Sequence, residues 1–323
     1  MNTLTKIPYD YKKIKLNNIF ENSILERYVS SKIQTENSKF VFGDLKFPKD
    51  LPKDRPYTIS SFVTSIDGKI AFLDAPEGPF IAQKNFLDPT GADADFWILN
   101  LMRANADGII VGAGTMKQEP NMTAHVFDEE LEKKRVEIGK KAIPYNIISS
   151  LDGSDIPFNH MLFKSEVPII INTSQKGFEV IKDNLKREFF VIEIPNGFQI
   201  EKEVIEKMIL DNENMDKIPV IVTGVGRYTD TDSLFKVLKY MGIDILLVES
   251  PSYVHHLISE TKLDEVILNY STVYIGGNAI GLGNNMKSFT SENHPHTEIL
   301  TLHMHSPSFL YFRHKFNYEF YKG

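Results

Sequence analysis

From Tyr57 onward, short wholly apolar runs alternate with amphipathic stretches. "YTISSFVTSI" (57–66) predicts a strand that closes on Asp67-Gly68, a dipeptide suited to the positive φ of a tight turn. "DADFWILNLMRANA" (93–106) predicts a helix dense in large apolar residues. "GIIVG" (108–112), "VPIIINTS" (167–174) and "IPVIVTG" (218–224) are apolar without alternation, as strands buried on both faces are. "DSLFKVLKYMG" (232–242) predicts a helix stopped by Gly242, then the strand "IDILLVES", a helix from about Tyr253 and the strand "DEVILNYSTV". Strands separated by helices imply crossover connections, hence a largely parallel sheet with both faces covered. The tail, "TEILTLHMHS" and "SFLYFRHKF", alternates with period two and predicts a closing antiparallel hairpin.

Upstream, Leu16, Ile19, Phe20, Ile24 and Tyr28 recur at helical spacing and predict an amphipathic helix over 14–33. "FPKDLPKDRPY" (47–57), with three prolines, marks a linker. The expected division is a helical appendage and linker (1–54) ahead of a single α/β domain (55–323). "DEELEKKRVEIGKK" (128–141) reads as a solvated surface helix.

Composition narrows the function. A net charge of −7 without a basic block argues against nucleic acid as a partner. The chain has no cysteine, which excludes disulfides, thiolate metal sites and a cysteine nucleophile. No stretch approaches the roughly 20 apolar residues of a membrane span, and the first residues lack a signal-peptide core. A cytoplasmic enzyme acting on a small molecule is the expectation.

In such a sheet, ligands bind beyond the carboxyl ends of the strands. Two strand ends carry suitable chemistry. "VGAGTMKQEPNMT" (111–123) has Gly112 and Gly114 for close backbone approach and Thr115 beyond them. "LLVESPS" (246–252) ends on Glu249 and leads into a helix whose free N–H groups suit a phosphate. Asp67 is a further candidate for chemistry, although Asp-Gly after a strand reads first as a turn. "GGNAIGLG" (276–283) lacks a marked following helix and reads as a loop. His294, His296, His303 and His305 have same-face strand spacing, but no carboxylate accompanies them and no metal site is expected.

Five stretches in one order carry a resemblance: "RPYTISSFVTSIDGKIA", "LMRANADGIIVGAGT", "EPNMT", "YMGIDILLVES" and "KLDEVIL". Together they resemble the pyrimidine reductases of riboflavin biosynthesis, in the stand-alone branch, over roughly residues 55–320. The resemblance implies a dihydrofolate-reductase-like three-layer α/β fold, a homodimer, and NADPH-dependent reduction of a ribosylamino-pyrimidine phosphate. The hydride goes to C1′ of the ring-opened ribose. Carried over residue by residue, it places Gly112, Thr115, Glu119 and Thr173 or Ser174 by the cofactor, with Phe80 beside the nicotinamide. It places Arg103, Met122, His125 and Glu249 toward the substrate, with Glu249 or water as proton donor. The zinc deaminase that accompanies some relatives needs cysteine ligands, which this chain lacks.

Three departures from the family pattern matter. Glu249-Ser250-Pro251 stands where relatives have Glu-Gly-Gly, so Ser250 and Ser252 are expected to replace glycine backbone donors through their hydroxyls. The acidic turn is one residue shorter, with Glu119 in the acidic place. His125 replaces an arginine expected to grip the substrate phosphate, and a histidine lacks the bidentate fork. These departures keep two alternatives open: a pterin or dihydrofolate reductase on the same scaffold, and a non-catalytic paralogue that binds a nucleotide.

Overall fold

The computed structural model describes residues 4–194, 201–213, 216–284 and 286–323. The strands are β1 (Asn17–Glu21), β2 (Tyr28–Ser30), β3 (Lys46–Pro48), β4 (Tyr57–Thr64), β5 (Gly108–Gly112), β6 (Tyr145–Ser149), β7 (Ile169–Thr173), β8 (Phe189–Ile194), β9 (Ile218–Thr223), β10 (Ile245–Val248), β11 (Glu265–Ser271), β12 (His296–Ser306) and β13 (Phe309–Asn317). The helices are α1 (Glu36–Val41), α2 (Phe80–Gln83), α3 (Gly91–Asn105), α4 (Ala113–Gln118), α5 (Glu129–Glu137), α6 (Gln175–Asn184), α7 (Lys202–Glu213), α8 (Thr231–Tyr240) and α9 (Pro251–Ser259).

One sheet runs in the order β1-β12-β13-β11-β4-β10-β5-β6-β7-β9-β8, parallel from β11 to β8. β13, β12 and β1 continue it antiparallel. The strands without hydrophobic alternation are so because both faces are buried. In β5, Ile109 and Val111 enter the core under α3, while Ile110 enters the core under α8 and α9. Ile170 and Ile171 of β7 divide in the same way. Helices on both faces complete three layers, and the C-terminal hairpin forms as its period-two pattern predicts. None of the helices among the described residues is long and apolar enough to cross a membrane.

The predicted helix over 14–33 is not formed. Residues 17–21 instead pair with the edge of β12, with a register shift around Ile19, and a short 3-10 turn follows at Ser23–Arg27. Ile19 and Phe20, expected on the buried stripe, are exposed, whereas Leu16 and Leu25 are buried. The asparagines explain the difference. Asn22 accepts from the N–H of Ile24 and donates to the Ile299 carbonyl, and such side chains compete with helical backbone bonding. The open edge of β12 then supplies the partners a helix would have found internally.

Two buried polar contacts fix the helix that carries the site. The Trp97 indole donates to Asp128, which caps the start of α5. Arg135, buried on α5, donates to the carbonyls of Ala104 and Ala106 at the end of α3. The segment read as a solvated helix therefore also pins the C-terminus of α3, one residue past Arg103.

Candidate functional site

A cavity of about 1920 Å³ opens where β4, β10, β5 and β6 end. The chain returns to the middle of the sheet there, with β10 inserted between β4 and β5, which is where a doubly wound sheet leaves a crevice. Segments after β5 (112–115), β6 (149–152) and β10 (249–253) line it, with α3 along one wall.

α3 turns Ala92, Asp95, Phe96, Leu99 and Arg103 toward the cavity, a stripe at helical spacing, while Trp97, Ile98 and Leu101 fill the core behind it. Arg103 meets Glu249 through a fork: Nε donates to Oε1 and Nη2 to Oε2, each at 2.7 Å. The remaining nitrogen, Nη1, donates to the His125 carbonyl at 3.3 Å. Arg103 and Glu249 are nearly buried, and a bidentate pair of this kind fixes both orientation and charge. Beside it, burial and then the charge of Glu249 raise the Glu119 carboxyl above the ordinary carboxylate range. The charge of Arg103 acts on Glu119 in the opposite direction, while its hydrogen bonds go to Glu249 and the His125 carbonyl.

At the end of β5, Gly112 caps α4, and a Cβ there would lie 2.7 Å from Ser250 Oγ. The glycine lets the ends of β5 and β10 close on each other. A Cβ on Gly114, by contrast, meets nothing within 4 Å, so this backbone faces open cavity. Thr115, Glu119 and Met122 follow on the wall. α9 begins at Pro251 itself, with Ser250 as N-cap. Proline at the first helical position loses an N–H that has no intrahelical partner anyway. The next N–H groups, of Ser252 and Tyr253, lack helical acceptors by position and belong to cavity-lining residues.

The model of the RibD C-terminal domain matches residues 56–297, three quarters of the chain. The chain belongs to the RibD C-terminal domain family. It is similar to the 2,5-diamino-6-ribosylamino-4(3H)-pyrimidinone 5′-phosphate reductase of Archaeoglobus fulgidus, 23% identical over 225 residues that cover 69% of this chain and 83% of that protein. A pyrimidine reductase-like protein of Corynebacterium diphtheriae is similar in structure, with a TM-score of 0.54 at 17% identity, over 86% of this chain and 98% of that one. A deaminase/reductase of Thermotoga maritima, diaminohydroxyphosphoribosylaminopyrimidine deaminase/5-amino-6-(5-phosphoribosylamino)uracil reductase, gives 0.52 at 16% identity, over 81% of this chain and 57% of that one. The resemblance read from the sequence is borne out for the family, and the neighbours bear out the α/β reductase fold.

Within this RibD-type domain, the residues expected at the site separate into two groups. Arg103, Gly112, Thr115, Glu119, Met122, Glu249, Ser250 and Ser252 all border the cavity. Phe80 does not: its ring lies under Lys84, and α2 meets the cavity through Ala82 and Gln83. Thr173 is fully buried beneath Gly177, and Ser174 caps α6 through the N–H of Gly177. Asp67 stands outside the wall and holds the loop at 275–276, accepting from Ser65 and from the N–H groups of Ile275 and Gly276. The Ser65 hydroxyl leads in drawing its carboxyl down to about 2, so Asp67 serves as an ionised turn residue.

His125 borders the cavity with both ring nitrogens engaged. Nε2 donates to the Thr5 carbonyl at 2.8 Å and Nδ1 accepts from the Thr123 hydroxyl at 2.9 Å, a tautomer assigned from those partners. Burial, with Arg103 and Lys6 nearby, lowers it to about 4, so the ring is neutral at ordinary pH. The other histidines disperse: His303 stacks on Phe42, His305 bonds to Thr90, and His294 lies against His296. No group of three or more metal-ligating side chains occurs among the described residues.

Sequence reasoning did not single out Asp95. It lies in the cavity wall, and burial pushes its carboxyl up to about 7. The available signal was its place in one helical stripe with Leu99 and Arg103. The N-terminal residues Leu4, Thr5 and Ile7, which also border the cavity, carry no sequence signal of that role.

Proposed function

We propose that this chain is an NADPH-dependent reductase of a ribosylamino-pyrimidine phosphate, acting at C1′ of the ring-opened ribose. The observation that carries this reading is the Arg103–Glu249 fork, set in one cavity with the two helix starts at Gly112 and Ser250. The residues present fit a dinucleotide diphosphate. The N–H groups of Ser252 and Tyr253 and the Ser252 hydroxyl supply donors, and the open side of Gly114 leaves room for close approach. Thr115 and Glu119 border the same space. When bound, the dinucleotide supplies a hydride from its nicotinamide ring.

The protein's part is position and field. Arg103, neutralised by Glu249, offers an oriented guanidinium edge to a polar substrate, and Met122 supplies an apolar contact. The fork fixes the orientation of Glu249, which makes it a positioning group for substrate hydroxyls; water remains the simplest proton source beside it. The homodimer implied by the resemblance and the cytoplasmic location expected from the sequence complete the proposal.

One observation favours a second reading. His125 stands where a phosphate-gripping arginine is expected, and it is neutral and engaged at both nitrogens. A substrate without a phosphate, such as a pterin or dihydrofolate, fits that end of the cavity better. NADPH oxidation measured across a panel of pyrimidine and pterin substrates separates the two. Activity on the phosphorylated pyrimidine alone supports the first reading, and activity on pterins alone supports the second.

A further inference from the structure

Residues 4–11 precede the stretch matched by the RibD C-terminal domain, which begins at residue 56, yet Leu4, Thr5 and Ile7 border the cavity. These residues run beside the segment 123–128 and are tied to it one after another. The Thr5 carbonyl accepts from His125 Nε2 at 2.8 Å, and the Ile7 N–H donates to the Phe127 carbonyl at 2.9 Å. Lys6, between them, donates to the Val126 carbonyl at 2.6 Å and pairs with Glu132 of α5. Farther along, the Tyr9 hydroxyl accepts from Asn100 of α3 at 3.1 Å, and the Tyr11 hydroxyl donates to Asp128 at 3.0 Å. The same Asn100 accepts the Phe127 N–H, and the same Asp128 accepts the Trp97 indole. Residues 4–11 are thus a strap laced to α3 and to the segment 123–128.

Two observations connect the strap to a ligand. His125, bonded to Thr5, gives its own carbonyl to Arg103 Nη1, so the strap stands at the guanidinium end of the Arg103–Glu249 fork. Leu4 and Ile7 are also only half-buried, as are Phe96 and Phe127, which border the cavity with their rings 5.1 Å apart. A segment that served only to stitch the fold together would spend its apolar side chains on the core, as Ile14 and Leu16 do. Apolar surface that faces a cavity leaves water only when a ligand fills the space. Lys6 is turned to Glu132, so the strap gives this end of the cavity apolar side chains rather than a charge.

We propose that the strap is the end wall of the substrate half of the cavity, and that Leu4 and Ile7 pack against the bound pyrimidine substrate. This rests on the reductase reading for the identity of the substrate. It goes beyond that reading by giving a binding role to a segment outside the matched domain. The dinucleotide, placed at the starts of α4 and α9, does not touch the strap on this account.

The chain has no cysteine, so one introduced thiol reports on its own position. Leu4→Cys in the full chain is treated with a thiol reagent, with 2,5-diamino-6-ribosylamino-4(3H)-pyrimidinone 5′-phosphate or with NADPH present. Lys12→Cys, at an exposed residue that does not border the cavity, is the control. Near saturation the pyrimidine is expected to slow modification of Leu4→Cys at least about fivefold, and NADPH alone less than about twofold. Neither is expected to change Lys12→Cys. By calorimetry, Ile7→Ala is expected to weaken the pyrimidine about fivefold to tenfold and NADPH less than about twofold, with Ile7→Val close to the unaltered protein. Thermal melts of each variant separate these effects from loss of fold. Modification of Leu4→Cys that the pyrimidine leaves unchanged, or that NADPH slows equally, overturns the end wall. Pyrimidine affinity unmoved by Ile7→Ala overturns it as well. Reduction of the pyrimidine without protection of Leu4→Cys rejects the end wall alone. Protection by the pyrimidine without its reduction by NADPH rejects the reductase reading alone.

Discussion

Arg103 and Glu249, 146 residues apart in the chain, join the end of α3 to the end of β10 through two 2.7 Å hydrogen bonds. The pair is nearly buried and stands beside a second carboxylate, Glu119. Removing one partner leaves a buried charge uncompensated, which costs about 3–5 kcal/mol. Arg103→Met is expected to show that loss in urea denaturation. The double variant Arg103→Met with Glu249→Leu is expected to lose less than the sum of the two single changes. Additive losses contradict the coupling.

Gly112 meets Ser250 rather than open space, with only 2.7 Å between a Cβ position and Ser250 Oγ. Gly112→Val is therefore expected to destabilise the protein by about 1–3 kcal/mol through overpacking. Ser250→Gly in the same chain is expected to recover part of it, which paired thermal melts measure. No recovery means that the strain lies elsewhere.

These contacts show what the sequence made legible and what it did not. The central strands were readable because burial on both faces removes alternation, as in Ile109, Ile110 and Val111. The hairpin was readable because one face alternates with the other. Residues 14–33 read as a helix because a docked strand followed by a 3-10 turn brings Leu16, Ile24 and Tyr28 of the apolar stripe at least partly inward, while Ile19 and Phe20 of the same stripe are exposed. At the site, Arg103, Glu119 and Glu249 came from motif order, but their meeting did not, since it depends on how α3 lies across β10. Phe80 and Thr173, for the same reason, do not border the cavity: Ala82 and Gln83 line it in place of Phe80, and Gly177 covers Thr173. An aspartate in the first turns of a helix reads as an ordinary dipole partner, which hid Asp95.

Ser252 offers both an N–H and a hydroxyl at the start of α9. A charge-assisted hydrogen bond contributes about 1.5–3 kcal/mol, so Ser252→Ala is expected to weaken NADPH about tenfold or more by calorimetry. Pro251→Gly adds one donor at the first helical position and is expected to strengthen binding. Tight binding that Ser252→Ala leaves unchanged shows that the diphosphate is held elsewhere. Binding gained only in Pro251→Gly favours the non-catalytic alternative.

Burial lowers His303 from 6.5 to about 4, and its Nδ1 has no partner among the described residues. A base with a lowered folded pKa leaves the unfolded chain holding more protons, so stability is complete above about pH 6.5 and falls as pH drops toward 4. The full shift corresponds to about 3 kcal/mol. His125 behaves with the same sign. Denaturation midpoints between pH 7 and pH 4.5 are expected to fall, and His303→Gln is expected to flatten the slope. An unchanged slope assigns the acid sensitivity to other groups.

The central claim is that this cavity transfers a hydride to a ribosylamino-pyrimidine phosphate, and one measurement addresses it most directly. The full chain is mixed with NADPH carrying deuterium at the nicotinamide C4 and with 2,5-diamino-6-ribosylamino-4(3H)-pyrimidinone 5′-phosphate, and the product is examined by NMR. The account predicts multiple turnovers and deuterium at C1′ of a ribityl chain, both abolished or strongly reduced in Glu249→Gln. A folded protein that leaves the substrate unreduced, or a product labelled at any other carbon, contradicts it.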